Sequence, residues 1–270
     1  MTQPTPTVQF ASFAYGDEVP FDDPAESYHE ATKLYPSFAA RQVRGITLVE
    51  QQPAIAESMR RSSRRHPHLP RVVLPPLQPG VARLSDVLDA RRSACPSGGA
   101  TLDLADLSTL LSAYQANGPS DRRRVPSGGA LYPLELYVVA RRVDNLATGV
   151  YHFDPFDRAL DLLAAGEPAL ENVFVDPAIS ENAAAILVVT GLFWRSRSKY
   201  GLRGYRFTLL EAGHLVQTVQ LLATEAEIDA LPLGGFYDAA LDSLVRADGV
   251  NESIVYAVAV GRGAAGEIAE

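Results

Sequence analysis

The chain has 270 residues, of which 47% are hydrophobic and 21% charged, with a formal net charge of −8. This length and composition predict a globular protein of one large or two ordinary domains, and the acidic balance makes a nucleic-acid backbone a poor partner. A single cysteine, Cys95, excludes an internal disulfide, and no cluster of Cys and His has zinc-ligand spacing, so we expect no metal site. The sequence contains no apolar run of ~20 residues and no secretion signal, which predicts a cytoplasmic protein.

Residues 1 to about 80 are rich in proline, serine and charge, which predicts an irregular extension with little helix or strand that packs on a larger domain. This extension contains one strongly basic run. Its members are Arg60, Arg61, Arg64, Arg65, His66 and His68. The run could bind an acidic peptide or an anion, but we interpret it as the solvated face of a linker.

The main domain, residues 81–263, opens with two predicted helices. Helical spacing of apolar residues from Leu84 predicts the first helix, with Ser85 as its N-cap. This helix leads into the basic motif Arg91–Ser93. The second helix follows the capping residue Asp103, and Gly118 suits its end.

A turn of small residues follows, and it is the most informative feature of the sequence. Ser127, Gly128 and Gly129 lie between Pro126 and Pro133, directly ahead of an apolar strand. Glycine lacks the Cβ that keeps other groups away from the main chain, and proline fixes φ. The turn therefore favours a preformed cradle for a flat ligand, although it could also be a tight entry loop to the strand.

Strand patterns dominate the next part of the chain. Residues 134–143 show the alternating side-chain pattern and the aromatic content that are typical of a strand, which predicts a strand of the core sheet. Residues 150–153 and 159–163 predict a hairpin around the turn 154–157. The continuous apolar character of residues 184–190 predicts a further buried strand.

Residues 205–228 form the longest helical pattern, and apolar side chains occupy most of its circumference. Such a helix is expected to be buried. Its polar members Glu211, His214 and Thr218 share one face, which could line a cavity or another subunit. For His214 the alternative is a structural histidine held by a hydrogen bond.

A second glycine turn, at Gly234 and Gly235, precedes a predicted helix over residues 239–245 and a final core strand over residues 254–260. We expect the tail, residues 264–270, to be flexible. Mixed helices and strands with a hairpin and no regular βαβ repeat favour an α+β fold.

These motifs suit a bound flavin mononucleotide (FMN). FMN needs cationic or amide donors for its phosphate, an open backbone approach to its ring, and polar groups at its pyrimidine edge. Arg91 and Ser93 can hold the phosphate or ribityl chain, and residues 127–129 can lie against the ring. Gly234 and Gly235 can present amides to the reactive nitrogen. No dinucleotide fingerprint or Walker loop is present, so those nucleotide sites have no support.

The sequence resembles the SagB-type or McbC-like dehydrogenases, which share the FMN-dependent nitroreductase fold. The resemblance covers roughly residues 28 to 262. It rests on Tyr28-His29, Leu84 to Ser93, Pro126 to Pro133, Gly149 to His152, Lys199-Tyr200, Gly213-His214 and Leu233 to Phe236. It implies a mainly antiparallel sheet flanked by helices, and a homodimer with FMN at the subunit interface.

The same resemblance implies an activity and a set of site residues. Members of this family oxidise thiazolines or oxazolines to the aromatic azoles of peptide natural products. The implied catalytic residues are Lys199 and Tyr200. The implied FMN-binding residues are Arg91, Arg92, Ser93, Ser127, Gly128 and Gly129. The full predicted FMN site also includes Pro126, Gly234, Gly235 and Arg262. The implied partners are an azoline-containing peptide or carrier-bound substrate and a cyclodehydratase or synthetase.

Azoline aromatisation removes a proton from the ring carbon next to the carbonyl and a hydride from the neighbouring carbon. We expect Lys199 and Tyr200 to accept the proton and FMN to accept the hydride. Two alternatives stay open: an NAD(P)H-dependent nitroreductase or flavin reductase, and a catalytically degenerate scaffold. Cys95 stands where many nitroreductase-fold proteins carry a basic residue near the flavin pyrimidine edge, so Arg92, Lys199 or Arg203 would have to stabilise reduced flavin.

Overall fold

The computed structural model describes residues 23–36, 44–78, 80–97, 99, 101–118 and 122–263. The helices in these residues are α1 (Pro24–Ala31), α2 (Arg44–Gln51), α3 (Pro53–Arg60), α4 (Leu84–Ala90), α5 (Leu104–Leu111), α6 (Pro177–Asn182), α7 (Phe193–Tyr200), α8 (Arg203–Glu225) and α9 (Asp238–Val245). The strands are β1 (Arg71–Val73), β2 (Leu102–Asp103), β3 (Ala116–Asn117), β4 (Arg122–Arg123), β5 (Leu134–Ala140), β6 (Val143–Asp144), β7 (Gly149–Asp154), β8 (Ala159–Ala165), β9 (Ala185–Leu192), β10 (Asp229–Leu233) and β11 (Glu252–Gly261).

Seven strands form the main sheet, in the order β1-β8-β7-β5-β9-β11-β10, and every neighbouring pair is antiparallel. The central strands β5 and β9 are buried nearly throughout, which explains their continuous apolar sequence. Pro232 lies in the edge strand β10, where a missing N–H is tolerated. The predicted α+β fold, the hairpin β7–β8 and the final core strand are confirmed.

The core occupies both faces of this sheet, because successive side chains of a strand point to opposite sides. Leu136 and Val138 of β5 pack with α5 and α8 on one face. Tyr137 and Val139 pack with α6 and α9 on the other. Helix α8 thus lies against the sheet, and the residues that it presents elsewhere are free to build a site.

The long helix predicted over residues 205–228 is confirmed as α8, but the expected burial of its whole circumference is wrong. Leu209 and Leu210 are 41% and 55% exposed, and His214 is also exposed. One stripe of α8 therefore carries large apolar side chains that the described residues of this protomer leave exposed.

The expectation of little helix or strand in residues 1–80 is wrong for the described part of that range. Helices α1, α2 and α3 have eight residues each, and β1 pairs with β8 at the edge of the main sheet. Helix α1 begins with local signals, because the Asp23 carboxylate accepts hydrogen bonds from two first-turn amides and Pro24 follows it. Arg71 fixes β1 through ion pairs with Asp154, Asp157 and Asp161.

Two of the predicted helix boundaries are also wrong. Arg83, not Ser85, stands at the N-cap of α4. Asp103 caps α5 as predicted, in a capping box with Asp106. Helix α5 ends at its Leu111 and continues only as a short 3-10 turn, well before Gly118.

The domain boundary at residue 80 stays a prediction, and the predicted flexible tail over residues 264–270 lies outside the described residues. Helix α7, which the sequence patterns did not predict, follows β9 directly and precedes α8. None of the helices in the described ranges combines the length and apolar character needed to cross a bilayer.

Candidate active site

The small-residue turn, residues 126–133, is a compact loop held by its own hydrogen bonds. The Ser127 hydroxyl accepts a hydrogen bond from the Tyr132 amide at 2.9 Å, and the Ala130 amide donates to the Ser127 carbonyl at 3.0 Å. Gly129, Ala130 and Tyr132 all have positive φ, of 68°, 54° and 44°. Such backbone is costly for residues with a Cβ, so the surrounding structure must hold this loop in shape.

Lys199 and Tyr200, at the end of α7, lie against this loop. A Cβ at Gly129 would overlap the Tyr200 hydroxyl and would lie 3.0 Å from Lys199 Nζ. Phe207 of α8 completes the cluster, because its ring centroid is 5.1 Å from that of Tyr200 and a Cβ at Gly128 would lie 3.4 Å from it. The structure therefore brings together the predicted turn and the predicted catalytic pair, which are about 70 residues apart in the sequence.

A buried ion pair fixes α7 to this loop. Arg195 of α7 donates to the Glu135 carboxylate at 2.5 Å and to the Tyr132 carbonyl at 3.2 Å. His152 Nε2 lies 2.8 Å from the other Glu135 oxygen. Burial alone would raise the pKa of Glu135, but Arg195 and the hydrogen bond to His152 hold the pKa well below its usual range. Glu135 is thus a fixed negative charge that positions both site-bearing segments.

The basic run after α3 also reaches this network. The Arg64 amide donates to Glu135 at 2.9 Å, and the Arg64 guanidinium pairs with Glu252, whose side chain is fully buried. The His66 ring stacks edge-on against His152, with 5.1 Å between centroids. The interpretation of this run as a solvated linker face is wrong for Arg64 and His66, which anchor the N-terminal region to the sheet.

A second buried carboxyl, Glu211 of α8, lies beneath Ser127. Its Oε1 atom accepts a hydrogen bond from the Tyr114 hydroxyl at 3.2 Å, while its Oε2 atom has no partner in the described part of the chain. Burial raises the pKa of Glu211 to about 7. The sequence interpretation placed Glu211 only on the polar face of α8, without assigning it a role.

That polar face does line a cavity, as one of the two interpretations predicted. The cavity has a volume of about 290 Å³ and runs along the outside of the small-residue turn. Its lining residues are Pro126, Ser127, Gly128, Phe207, Leu210, Glu211 and His214. Thr218 is not among them, and its hydroxyl donates to the His214 carbonyl.

The N-terminal helices enclose another cavity of about 290 Å³ on the other side of the Lys199–Tyr200 pair. Arg203 donates to the Thr32 carbonyl at 2.9 Å, and Tyr28 packs edge-on against Tyr205 at 5.5 Å, so α1 is held on the start of α8. The cavity is lined by Ala31, Thr32, Leu34, Gly45, Arg197, Ser198, Lys199, Tyr200, Gly201, Leu202 and Arg203.

The motif Arg91–Ser93 lies at the opposite half of α8. The Ser93 hydroxyl accepts a hydrogen bond from Gln220 at 3.1 Å. Phe207, which packs on the small-residue turn, precedes Gln220 by thirteen residues. Along a helix this spacing places the two residues about 20 Å apart. One protomer does not bring this motif to the small-residue turn, and their convergence on one ligand stays a prediction.

The remaining predicted residues lie apart from the Lys199–Tyr200 pair. Arg92 is exposed and lines a shallow hollow beside the end of α8, and Arg262 pairs with Asp106 at 2.8 Å. A Cβ at Gly234 would meet none of the described residues within 4 Å, whereas a Cβ at Gly235 would lie 3.6 Å from Val175. Partial burial raises the pKa of the exposed Cys95 thiol, which makes it a poor nucleophile. Within the described residues, no three His, Cys, Asp or Glu side chains are grouped to hold a metal ion.

Comparison with known proteins gives a consistent result. A profile described as "Nitroreductase family" matches residues 97–262. The protein named "Putative nitroreductase MJ1384" from Methanocaldococcus jannaschii is 36% identical over 174 residues, which cover 61% of this chain and 84% of that protein. The microcin B17-processing protein McbC of Escherichia coli is 29% identical over 182 residues, or 62% and 67% of the two chains.

A solved structure extends the similarity of fold to most of the chain. One chain of the Escherichia coli microcin synthetase McbBCD complex, solved with truncated pro-MccB17 bound, has a TM-score of 0.57 and 23% identity. The match covers 90% of the present chain and 95% of that chain. At this identity the similarity concerns the fold, and it includes the N-terminal part that the family profile leaves out.

Proposed function

Because this chain belongs to the nitroreductase family, we propose that it is an FMN-dependent oxidoreductase that converts thiazoline or oxazoline rings to thiazoles or oxazoles. The predicted resemblance to McbC-like members is confirmed by the match to McbC, which is named for the processing of microcin B17. The proposed substrate is an azoline on a peptide or on a carrier-bound intermediate, and the proposed partner is a cyclodehydratase or synthetase.

One observation carries the proposal: the Lys199 amine and the Tyr200 hydroxyl lie directly against Gly129 in the small-residue turn. A flat ring bound along that turn would have a potential proton acceptor at its edge. Only glycine permits this approach, because any Cβ at Gly129 would displace the Tyr200 hydroxyl. The arrangement is what proton abstraction from a ring substrate requires.

The residues at the turn fit FMN. A cavity opens along Ser127 and Gly128, and its lining includes Glu211, a buried carboxyl with an unpartnered oxygen that can meet a polar ring edge. Residues 126–129 would hold the flavin ring, and Arg91–Ser93 with Arg262 would hold the phosphate end. When bound, FMN supplies the hydride acceptor for the reaction.

We also propose that the cofactor site is completed by a second copy of the chain. The turn and the Arg91–Ser93 motif contact points about 20 Å apart along α8. In a homodimer, the motif of the partner subunit can lie beside the turn of the first. Leu209 and Leu210, exposed between these points, would provide the apolar contact that such an interface needs.

In the proposed reaction, a base removes the proton from the ring carbon next to the carbonyl, and the C–H electron pair forms the new ring double bond as hydride leaves the neighbouring carbon. The Lys199 side chain, as the neutral amine and with the Tyr200 hydroxyl beside it, accepts the proton and becomes the ammonium. The Arg195–Glu135 pair holds α7 so that these atoms stay at the turn. The Phe207 ring packs edge-on against the Tyr200 ring, with 5.1 Å between centroids, and supports its position at the turn.

Steady-state turnover of a thiazoline peptide tests this assignment. Lys199→Ala and Tyr200→Phe should keep the flavin colour but lower kcat by about 10²-fold or more, because general-base contributions have that size. Lys33→Ala is the matched control, since Lys33 is the only other lysine of the sequence and forms an exposed pair with Glu30.

Full activity in both site variants would refute the catalytic assignment. A colourless protein that takes up no FMN would instead favour the scaffold alternative. Rapid bleaching of the bound flavin by NADPH, with no oxidation of the azoline, would favour the reductase alternative.

A further inference from the structure

We propose that the cavity between α1, α2 and α7 binds an anionic group of the substrate, and that Arg197 is its principal contact. The inference rests on the proposed function, because the same cavity is lined by Lys199 and Tyr200. It adds a requirement that azoline chemistry by itself does not impose, namely a negative charge on the substrate close to the ring that is oxidised.

The charge of the cavity points to an anion. Two of its lining side chains, Arg197 and Arg203, are guanidinium cations, and none of the described lining residues is Asp or Glu. In the described part of the chain, neither of these two guanidiniums forms an ion pair. Like charges this close repel each other, and an anion between them would relieve that repulsion.

Other arginines of this protein show the contrast. Arg64, Arg71 and Arg195 each end on a carboxylate that is buried in the sheet. The Arg197 guanidinium instead lies over the exposed Trp194 ring, 4.3 Å from its centroid, and its N–H donors form no ion pair with the described carboxylates. Arg203 donates one hydrogen bond to the Thr32 carbonyl, and the other N–H groups of its guanidinium can donate to an anion.

The position and size of the cavity define the ligand. A volume of about 290 Å³ suits a small group rather than a whole peptide, and the group must lie beside the Lys199–Tyr200 pair. A carboxylate or a phosphate diester meets both conditions, and bidentate contact with a guanidinium favours either. The first could come from an acidic peptide residue or terminus, and the second from the arm of a carrier protein.

The N-terminal region therefore contributes to substrate selection. Thr32, Leu34 and Gly45 form the wall opposite α7. Gly45 allows that wall to close, because a Cβ there would lie only 2.6 Å from the Lys199 carbonyl oxygen. The described part of residues 1–80 thus provides one wall of the cavity in which the anion would bind.

Three probes test the proposal on the flavin-loaded protein. They are a thiazoline-4-carboxamide of glycine with a free carboxylate, the same compound as the neutral glycinamide, and a methyl phosphodiester of the corresponding ethanolamide. Wild-type protein should show about tenfold higher kcat/KM for at least one anionic probe than for the neutral one, which corresponds to ~1.4 kcal/mol. The preferred anion identifies the source of the charge.

Arg197→Gln should reduce the ratio of kcat/KM for the anionic probe to kcat/KM for the neutral probe to about 1. Arg246→Gln is the matched control, because Arg246 is exposed at the end of α9 and the loss of charge is the same. Trp194, the only tryptophan of the chain, provides a readout that does not depend on turnover. Its fluorescence should respond to the anionic probes in wild type and Arg246→Gln, and not in Arg197→Gln.

The outcomes separate the two proposals. Equal kcat/KM for all three probes, with loss of two hydrogens from each, would overturn the anion site and leave the proposed function intact. If no probe is oxidised, the proposed function fails, and the Trp194 response alone decides the anion site. Absence of any anion-dependent fluorescence change, or loss of flavin colour in Arg197→Gln, would overturn it.

Discussion

The two halves of helix α8 differ in how completely one protomer builds its surroundings. The first half, from Arg203 to Glu211, contacts α1, the small-residue turn and α7, so three distant segments meet there. In the second half, Gln220 contacts Ser93 and Glu225 contacts the Ala82 amide at 3.2 Å. The protomer therefore positions the proposed catalytic groups by itself, but leaves the proposed phosphate-binding motif on an open surface.

Electrostatics follow the same division. At the first half, Glu135 is charged and fully paired, whereas Glu211 is buried with one oxygen unpaired and a pKa of about 7. Arg91 and Arg92, beside the second half, are partly or largely exposed. We infer that the site beside the first half is preorganised within one protomer, and that the site beside the second half is completed by the cofactor and a second subunit. The predictions below test this contrast.

The largest effect is expected at Glu135. Glu135→Ala would remove the buried carboxylate that pairs with the half-buried Arg195, which should lower the free energy of unfolding by about 3 kcal/mol in urea titrations. Glu167→Ala is the control, because Glu167 forms an exposed pair with Arg141 that should be worth less than about 1 kcal/mol. Similar losses in the two variants would contradict the idea of a fixed, buried network.

The next effect is a pH dependence that belongs to Glu211. Because the folded-state pKa is raised from 4.5 to about 7, the folded protein holds this proton more tightly than the unfolded chain, and stability falls as pH rises between those values. Glu211→Gln removes that loss, so its stability relative to wild type should increase by about 3 kcal/mol between pH 4 and pH 8.

Chemical unfolding at both pH values measures the Glu211 effect. Glu225→Gln, on the second half of α8, is the matched control, because it removes a carboxylate from the same helix. A stability difference between Glu211→Gln and wild type that does not change with pH would show that the carboxyl is solvated and that this part of the site is not preorganised.

A pair of glycine variants measures the contact between the turn and Tyr200. Gly129 and Gly118 have φ of 68° and 62°, so alanine at either position should cost about 1 kcal/mol of stability. Only at Gly129 would the new Cβ displace the Tyr200 hydroxyl, because none of the described residues lies within 4 Å of a Cβ at Gly118. Gly129→Ala should therefore also lower kcat, and Gly118→Ala should not. Equal kcat values for the two variants would show that the contact between Gly129 and Tyr200 does not contribute to catalysis.

The smallest effect is expected at the second half of α8. Arg91→Gln should weaken FMN binding by about tenfold, the loss of one charge-assisted contact to the phosphate, in a fluorescence titration of the apoprotein. Arg83→Gln, exposed at the start of α4, is the control. An FMN affinity unchanged by Arg91→Gln would remove this motif from the cofactor site.

Local sequence patterns predicted the sheet and α8, because apolar residues recur with a period of 2 in a strand and 3.6 in a helix when one side of the element faces the core. They did not predict α7, because Phe193–Tyr200 is largely polar and has no apolar stripe to reveal a helix. The helices of residues 1–80 were missed for a similar reason. Composition indicated an irregular extension, while short amphipathic segments there are stabilised by packing on α7 and α8.

The site was predictable only in part. Glycines and prolines identified the turn from their own backbone requirements, but Lys199 and Tyr200 could be singled out only through the family resemblance. Glu135 and Arg195 are 60 residues apart, and no local pattern relates two such positions. The raised pKa of Glu211 depends on burial, which appears only once the helix is packed against the sheet.

The most direct test of the account is the mass of a thiazoline peptide after incubation with the flavin-loaded protein in air. The account predicts a product lighter by two hydrogens with wild type and with Lys33→Ala, and unchanged substrate with Lys199→Ala. An unchanged mass with yellow wild-type protein, or full conversion by Lys199→Ala, would contradict the central claim.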